Sequence, residues 1–175
     1  MPVPAPSRYS QDEVLRFYWL EDGVLAGCSL PGGENGRGPV KNGAALGRDL
    51  DELRQQGVGA ILTLTEDALE AETLAAHGMA ALHLPVPDMT APLPGQIHEA
   101  LTFIDRQRIE GHAVAVHCLM GQGRTGTILA ARLIRDGMPA DEAISRLRQM
   151  CPGAIESPAQ QEALRRFAER RDWVL

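Results

Sequence analysis

Cysteine is scarce in this chain. Cys28, Cys118 and Cys151 are its only three, too few and too scattered for a disulfide framework, so free thiols in a reducing compartment are expected. No apolar run approaches the roughly 20 residues a bilayer-crossing helix needs, and no membrane association is expected. The opening MPVPAPSRYS has no apolar core of a secretory signal, which makes a cytoplasmic location the expectation. Positive charge is also short. With a net charge of −6, the surface is a poor match for sequence-independent nucleic-acid binding, although the local field in a cleft still decides whether an anion binds. The five histidines, His77, His83, His98, His112 and His117, are dispersed and show no metal-ligand spacing, so neither metal nor cofactor is expected. Internal repeats and low-complexity tracts are absent.

What is present reads as one globular domain. A frayed segment over 1–11, rich in Pro and Ser, precedes a single domain over 12–175. FYWL (17–20), the turn EDG and VLAGC (24–28) read as a hairpin. Six glycines and two prolines between Pro31 and Gly47 mark a loop. It lacks the Lys-Ser/Thr ending of a nucleotide-binding P-loop and shows no GxGxxG after a strand.

Helical patterns follow at 46–56, 67–77, 95–109, 126–134, 140–150 and 157–171. The helix at 140–150 is expected to bury Ala143, Ile144 and Leu147, and the last Leu164, Phe167 and Ala168. Buried strands are expected at 58–65, 79–85 and 112–118. This alternation implies an α/β fold of three layers, a mainly parallel sheet flanked by helices. In such sheets ligands bind beyond the carboxyl ends of the strands.

One such end carries the densest chemistry. After the strand 112–118 the chain reads His117-Cys118-Leu119-Met120-Gly121-Gln122-Gly123-Arg124-Thr125-Gly126. A strand running through a glycine-rich loop into a helix N-terminus presents successive backbone N–H groups to an anion. A cysteine at the lip of that nest is favoured as thiolate over thiol. Arg124 supplies a planar fork for bidentate phosphate binding. Thr125 can donate a hydroxyl hydrogen bond to the sulfur. Singly, a cysteine at a strand end is a small hydrophobe, and a lone histidine is a satisfied core imidazole. The combination His-Cys, five residues, Arg-Thr is not explained that way.

HCLMGQGRTG resembles the signature loop of the protein tyrosine phosphatase superfamily, specifically its small atypical dual-specificity branch. The similarity spans about residues 15–170, from the FYWLEDGVLAGCSLPG hairpin to PGAIESPAQQEAL. It implies Cys118 as nucleophile, and Arg124 with the loop residues Leu119, Met120, Gly121, Gln122 and Gly123 as the phosphate cradle. A catalytic Asp on a Pro-rich loop upstream is implied too. LPVPDMTAPLP supplies Asp88, 30 positions before Cys118. By composition alone Asp88 is a common turn former, and Glu66 and Asp67, at the end of a strand, are second choices for the acid. The resemblance gives His117 a role in orienting the loop and a late Gln a role in positioning water. Spacing does not separate Gln160 from Gln161, and the family pattern favours Gln160.

The expected activity is hydrolysis of phosphotyrosine, with phosphoserine and phosphothreonine as further candidates. The partner would be a phosphorylated protein or a small phosphoester. The rival reading is a non-protein substrate: inositol phosphate, nucleotide or RNA 5′ phosphate. Relatives acting on highly charged phosphoinositides carry lysines in this loop, whereas Leu119, Met120 and Gln122 are uncharged. Cys28 and Cys151 read as structural, with a regulatory disulfide to Cys118 as the minor alternative. Arg165, Arg166, Arg170 and Arg171 read as a solvated face of the last helix.

Overall fold

A computed structural model describes residues 15–33 and 43–170. The expectations for 1–11, for Arg171 and for much of the glycine-rich loop lie outside the described residues. The chain runs β1 (Phe17–Glu21), β2 (Leu25–Cys28), α1 (Gly43–Gln55), β3 (Val58–Thr63), α2 (Ala71–Ala76), β4 (Ala80–His83), α3 (Pro94–Ile109), β5 (Ala113–His117), α4 (Gly123–Arg135), α5 (Ala140–Met150) and α6 (Pro158–Glu169). The strands form one sheet in the order β1-β2-β5-β3-β4. Only the β1–β2 hairpin pair is antiparallel.

Alternation along the central strands separates two cores, one on each face of the sheet. Val114 and Val116 of β5, with Ala60 and Leu62 of β3, pack on the face shared with Ile97, Ile104, Ile128, Leu129, Leu147 and Leu164 from α3–α6. Ala115 and Ile61 point the other way, onto Leu46, Leu50 and Leu53 of α1 and Leu74 of α2. The result is the expected three-layer α/β arrangement, with helices on both faces of a mostly parallel sheet. No helix among the described residues is long and apolar enough to cross a membrane.

The elements differ from their expected limits in ways that have local causes. Helix α1 begins at Gly43, one turn earlier than 46–56, in a stretch where glycine hid the helical pattern. Thr65 donates its hydroxyl to the Asp67 carbonyl at 2.8 Å, and α2 starts only at Ala71 rather than at 67. α5 buries Ala143, Ile144 and Leu147 as expected, whereas Ala168 of α6 is only half-buried. β5 stops at His117 and α4 begins at Gly123, leaving a five-residue connection at the centre of the sheet. Asp105 of α3 pairs with both Arg132 and Arg135 of α4, pinning the helix that follows this connection.

Candidate active site

The carbonyl oxygens of the connection all point away from its concave side, each to a donor elsewhere. His117 Nδ1 lies 3.1 Å from the Cys118 oxygen, and Leu30 N–H donates to Leu119 at 3.0 Å. The Arg16 guanidinium donates to Met120 at 3.0 Å and the Tyr18 hydroxyl to Gly121 at 2.7 Å. Ile155 and Gly126 N–H groups converge on Gln122, and Thr127 Oγ1 donates to Gly123. Conversely, among the described residues no backbone N–H of Leu119, Met120, Gly121 or Gln122 donates to another protein group. A loop whose oxygens are all engaged by donors elsewhere and whose N–H groups from 119 to 122 have no protein acceptor, ending on a helix N-terminus, has the make-up of an anion nest.

Gly121 makes this curvature possible. Its φ of +72° is a left-handed conformation, and a Cβ there would lie 2.6 Å from the Cys28 carbonyl carbon and oxygen. The loop therefore packs directly on the end of β2. Cys28 is fully buried there, and desolvation, with Cys118 and Asp49 nearby, pushes its thiol well above the ordinary range. Cys151 is also buried, with its sulfur 3.8 Å from the Gly121 oxygen. All three cysteines are free thiols.

Cys118 sits at the loop's start with 3% of its surface exposed. Beneath it, His117 is fully buried, between the Cys118 carbonyl and Thr63 Oγ1, which lies 2.9 Å from Nε2. Burial chiefly, helped by the positive charge of Arg124 and by His83, lowers its pKa to about 4, against a raising effect of the Cys118 backbone. A neutral imidazole donating through Nδ1 and accepting from Thr63 fits both bonds. His117 thus holds the loop and is not placed as an acid.

The Arg124 side chain is 3% exposed. Its Nη1 donates to the Val86 carbonyl at 2.8 Å and to Glu66 Oε2 at 3.0 Å, and its Nη2 lies 3.2 Å from Asp88 Oδ1. Glu66 is held as an anion. Its own backbone N–H lowers its carboxyl pKa most, against desolvation, with further lowering from Asp88 N–H and Arg124. Of the two second-choice carboxylates, Glu66 faces Arg124, whereas Asp67 offers its backbone carbonyl to Thr65. Asp88 is braced from several sides. Its N–H donates to Glu66 Oε1 at 2.8 Å, and Met89 N–H donates to its Oδ1.

Gln160 is fully buried. Its side chain accepts from Ser157 N–H and donates to the Thr90 carbonyl at 3.1 Å, tying α6 to the Asp88 loop. Gln160 N–H in turn donates to Ser157 Oγ, completing a capping box at the helix start. The neighbouring Gln161 is only half-buried. The Thr125 hydroxyl is buried with no hydrogen-bond partner, so the bond to sulfur expected from the sequence is not formed here. Arg16, Tyr18 and Glu156 went unread in the sequence. Tyr18 and Glu156 lie within the segments that carry the resemblance but had no role read for them, and Arg16 and Tyr18 lie more than a hundred residues from the loop. Among the described residues no group of three or more His, Cys, Asp or Glu side chains is placed to hold a metal ion.

Residues 35–138 match a family model described as "Polymorphic toxin system, DSP-PTPase phosphatase". The chain belongs to the protein tyrosine phosphatase superfamily, in its small dual-specificity branch. Human protein tyrosine phosphatase type IVA 3 is 32% identical over 117 residues, which cover 65% of this chain and 67% of that one. Phosphatidylglycerophosphate phosphatase PTPMT2 of Arabidopsis thaliana is 30% identical over 126 residues, 69% of this chain and 55% of its own. The crystal structure of Tk-PTP in its active form has a TM-score of 0.73 at 33% identity, covering 85% of this chain and 94% of that one. The protein is a phosphatase of this superfamily, an enzyme acting on phosphoesters.

Proposed function

We propose that Cys118 is the nucleophile of a metal-independent phosphatase whose substrate is phosphotyrosine, with phosphoserine and phosphothreonine as further substrates. The observation that carries this reading is the outward engagement of every carbonyl from Cys118 to Gly123. It leaves a ring of N–H groups, closed by a buried guanidinium, around the position a phosphoryl group would take.

In this scheme the sulfur attacks phosphorus in line with the departing oxygen, forming an S–P bond as the P–O bond breaks. The nest and Arg124 hold the three equatorial oxygens and their spread charge. Binding a phosphoryl dianion replaces Asp88 on Arg124 Nη2 and releases that carboxyl for proton transfer to the leaving oxygen. Water then attacks the thiophosphate, its proton passing to the carboxylate, and the sulfur departs as thiolate when the S–P bond breaks. Gln160 anchors the Asp88 loop through Thr90, and its remaining amide valences serve to position the water. Nucleophile, acid and anion cradle are all protein groups.

A second reading, a non-protein phosphoester, has one specific observation behind it: the 30% identity to a protein named as a phosphatidylglycerophosphate phosphatase. The uncharged side chains of Leu119, Met120 and Gln122 favour the phosphotyrosine reading over a multiply phosphorylated head group. Side-by-side turnover of phosphotyrosine peptides, soluble inositol phosphates and nucleotides separates the two. The highest kcat/KM is expected on phosphotyrosine peptides, and a strong preference for either other class would overturn the assignment.

A further inference from the structure

Three carboxylates, not one, surround the Arg124 end of the nest, and they are not equivalent. Glu66 is fixed as an anion by Arg124 and by the Asp88 N–H. Asp88 accepts from Met89 N–H and faces Arg124 Nη2. The third, Glu156, comes from the connection between α5 and α6. Its carboxylate takes part in no hydrogen bond or ion pair among the described residues. It lies against Gly123, the first residue of α4, with Oε2 2.5 Å from where a Cβ at that position would stand. Any side chain at 123 would drive the carboxylate off the lip of the nest.

The backbone that aims it is costly. Ile155 is fully buried and has a φ of +58°, a conformation that is an outlier for a β-branched residue and marks stored strain. The segment is clamped in this shape. Ile155 N–H donates to Gln122 within the nest loop, and the Arg148 guanidinium donates to the carbonyls of Ala154 and Ile155 at 3.1 Å and 3.0 Å. A strained, over-determined residue immediately before a carboxylate at the mouth of a catalytic loop points to function at that carboxylate. The charged groups facing Glu156 are Asp88, Arg124 and Arg16. Partial desolvation of a largely exposed side chain first, and Asp88 second, raise its carboxyl above the ordinary value, against both arginines.

We propose that Glu156 is a second general acid of this site, giving its proton to the leaving oxygen in parallel with Asp88. This rests on the phosphatase mechanism above and deepens it. As the S–P bond forms and the P–O bond breaks, the proton on a Glu156 oxygen moves to the departing alkoxide or phenoxide, leaving a carboxylate. That carboxylate takes the proton of the attacking water in the second step, when the S–P bond breaks, and the site is restored.

The test is a double-mutant cycle, Asp88→Asn, Glu156→Gln and both together, on aryl phosphates of graded leaving-group acidity across a range of pH. Glu156→Gln is isosteric at an exposed position, and thermal melts of the variants are expected to match. On phosphates with basic leaving groups each single variant is expected to keep the other acid's share of kcat, about half if the two contribute equally, and the pair to lose on the order of 10²–10⁴-fold, the range for removal of acid catalysis. The dependence of rate on leaving-group acidity should steepen sharply only in the double variant. The alkaline fall in kcat should survive Asp88→Asn and vanish with both changes. If Glu156→Gln adds no loss in the Asp88→Asn background, or costs the same for every leaving group, the second acid is refuted while the phosphatase reading stands. A wild-type enzyme inactive on para-nitrophenyl phosphate would overturn both.

Discussion

His117 holds the loop from beneath. It is sealed beneath the nest, bonded to the Cys118 carbonyl and to Thr63, and its pKa is about 4 instead of the ordinary 6.5. Between those two values the unfolded chain binds a proton at this residue and the folded chain does not. Stability therefore falls as pH drops through that window, by about 3 kcal/mol once pH is below 4. Denaturant unfolding of the wild type and His117→Asn at pH 7 and pH 4 checks this. The wild type should lose more stability than the variant by about that amount, and equal losses would show that the imidazole is not held neutral. At this scale the sequence was partly legible. Cys118 and Arg124 stood out by spacing and by the chemistry of their side chains, Asp88 only through the family resemblance, and the fold brings Arg124 and Asp88 together. Arg16 and Tyr18 did not, because each makes its one decisive bond to a loop more than a hundred residues away, and nothing in local composition encodes a partner that distant. Gln160 was singled out for water. Its most visible task is structural, capping α6 and holding Thr90.

Elements set the loop's shape as much as its own residues do. β2 ends against the nest at Gly121, where the Cys28 carbonyl occupies the space a side chain would need. Gly121→Ala adds both that clash and an unfavourable positive φ. It should abolish turnover of para-nitrophenyl phosphate and weaken phosphate binding while far-ultraviolet circular dichroism stays near wild type. Retention of more than about a tenth of wild-type kcat/KM, a loss of less than about 1.4 kcal/mol of transition-state binding, would mean that the loop tolerates a different path. Hydrophobic period located nearly every helix and strand, because each buries one face on a core. It erred at ends, where capping bonds decide. The Thr65–Asp67 turn delays α2, and a glycine-led first turn extends α1. The strained turn at Ile155 left no trace in the sequence, since a β-branched residue at positive φ contradicts local preference. Conflicts of this kind between local preference and fold collect at functional sites.

For the molecule as a whole, the parallel sheet is what makes a composite site from distant segments. The adjacent strands β2, β5 and β3 all end at the same edge. That edge delivers Cys28, Cys118 and the Glu66 turn to one place, and the Asp88 loop, braced by Gln96 on the Pro85 carbonyl, closes over it. The α/β class followed from the order of strands and helices. The grouping of three carboxylates around one arginine did not, for it depends on how three loops meet. Net charge, −6 for the chain, conceals this local balance.

In the proposed mechanism the nest holds a phosphoryl group against the sulfur of Cys118 long enough for a covalent bond to form. Rapid acid quench of the enzyme during turnover of para-nitrophenyl phosphate, followed by mass spectrometry of the peptide containing residues 113–124, tests it directly. A phosphorylated Cys118 should be trapped in the wild type, and it should be absent from Cys118→Ser, which should still bind inorganic phosphate. Undiminished turnover by Cys118→Ser, or a phosphoryl group trapped on another residue, would contradict it.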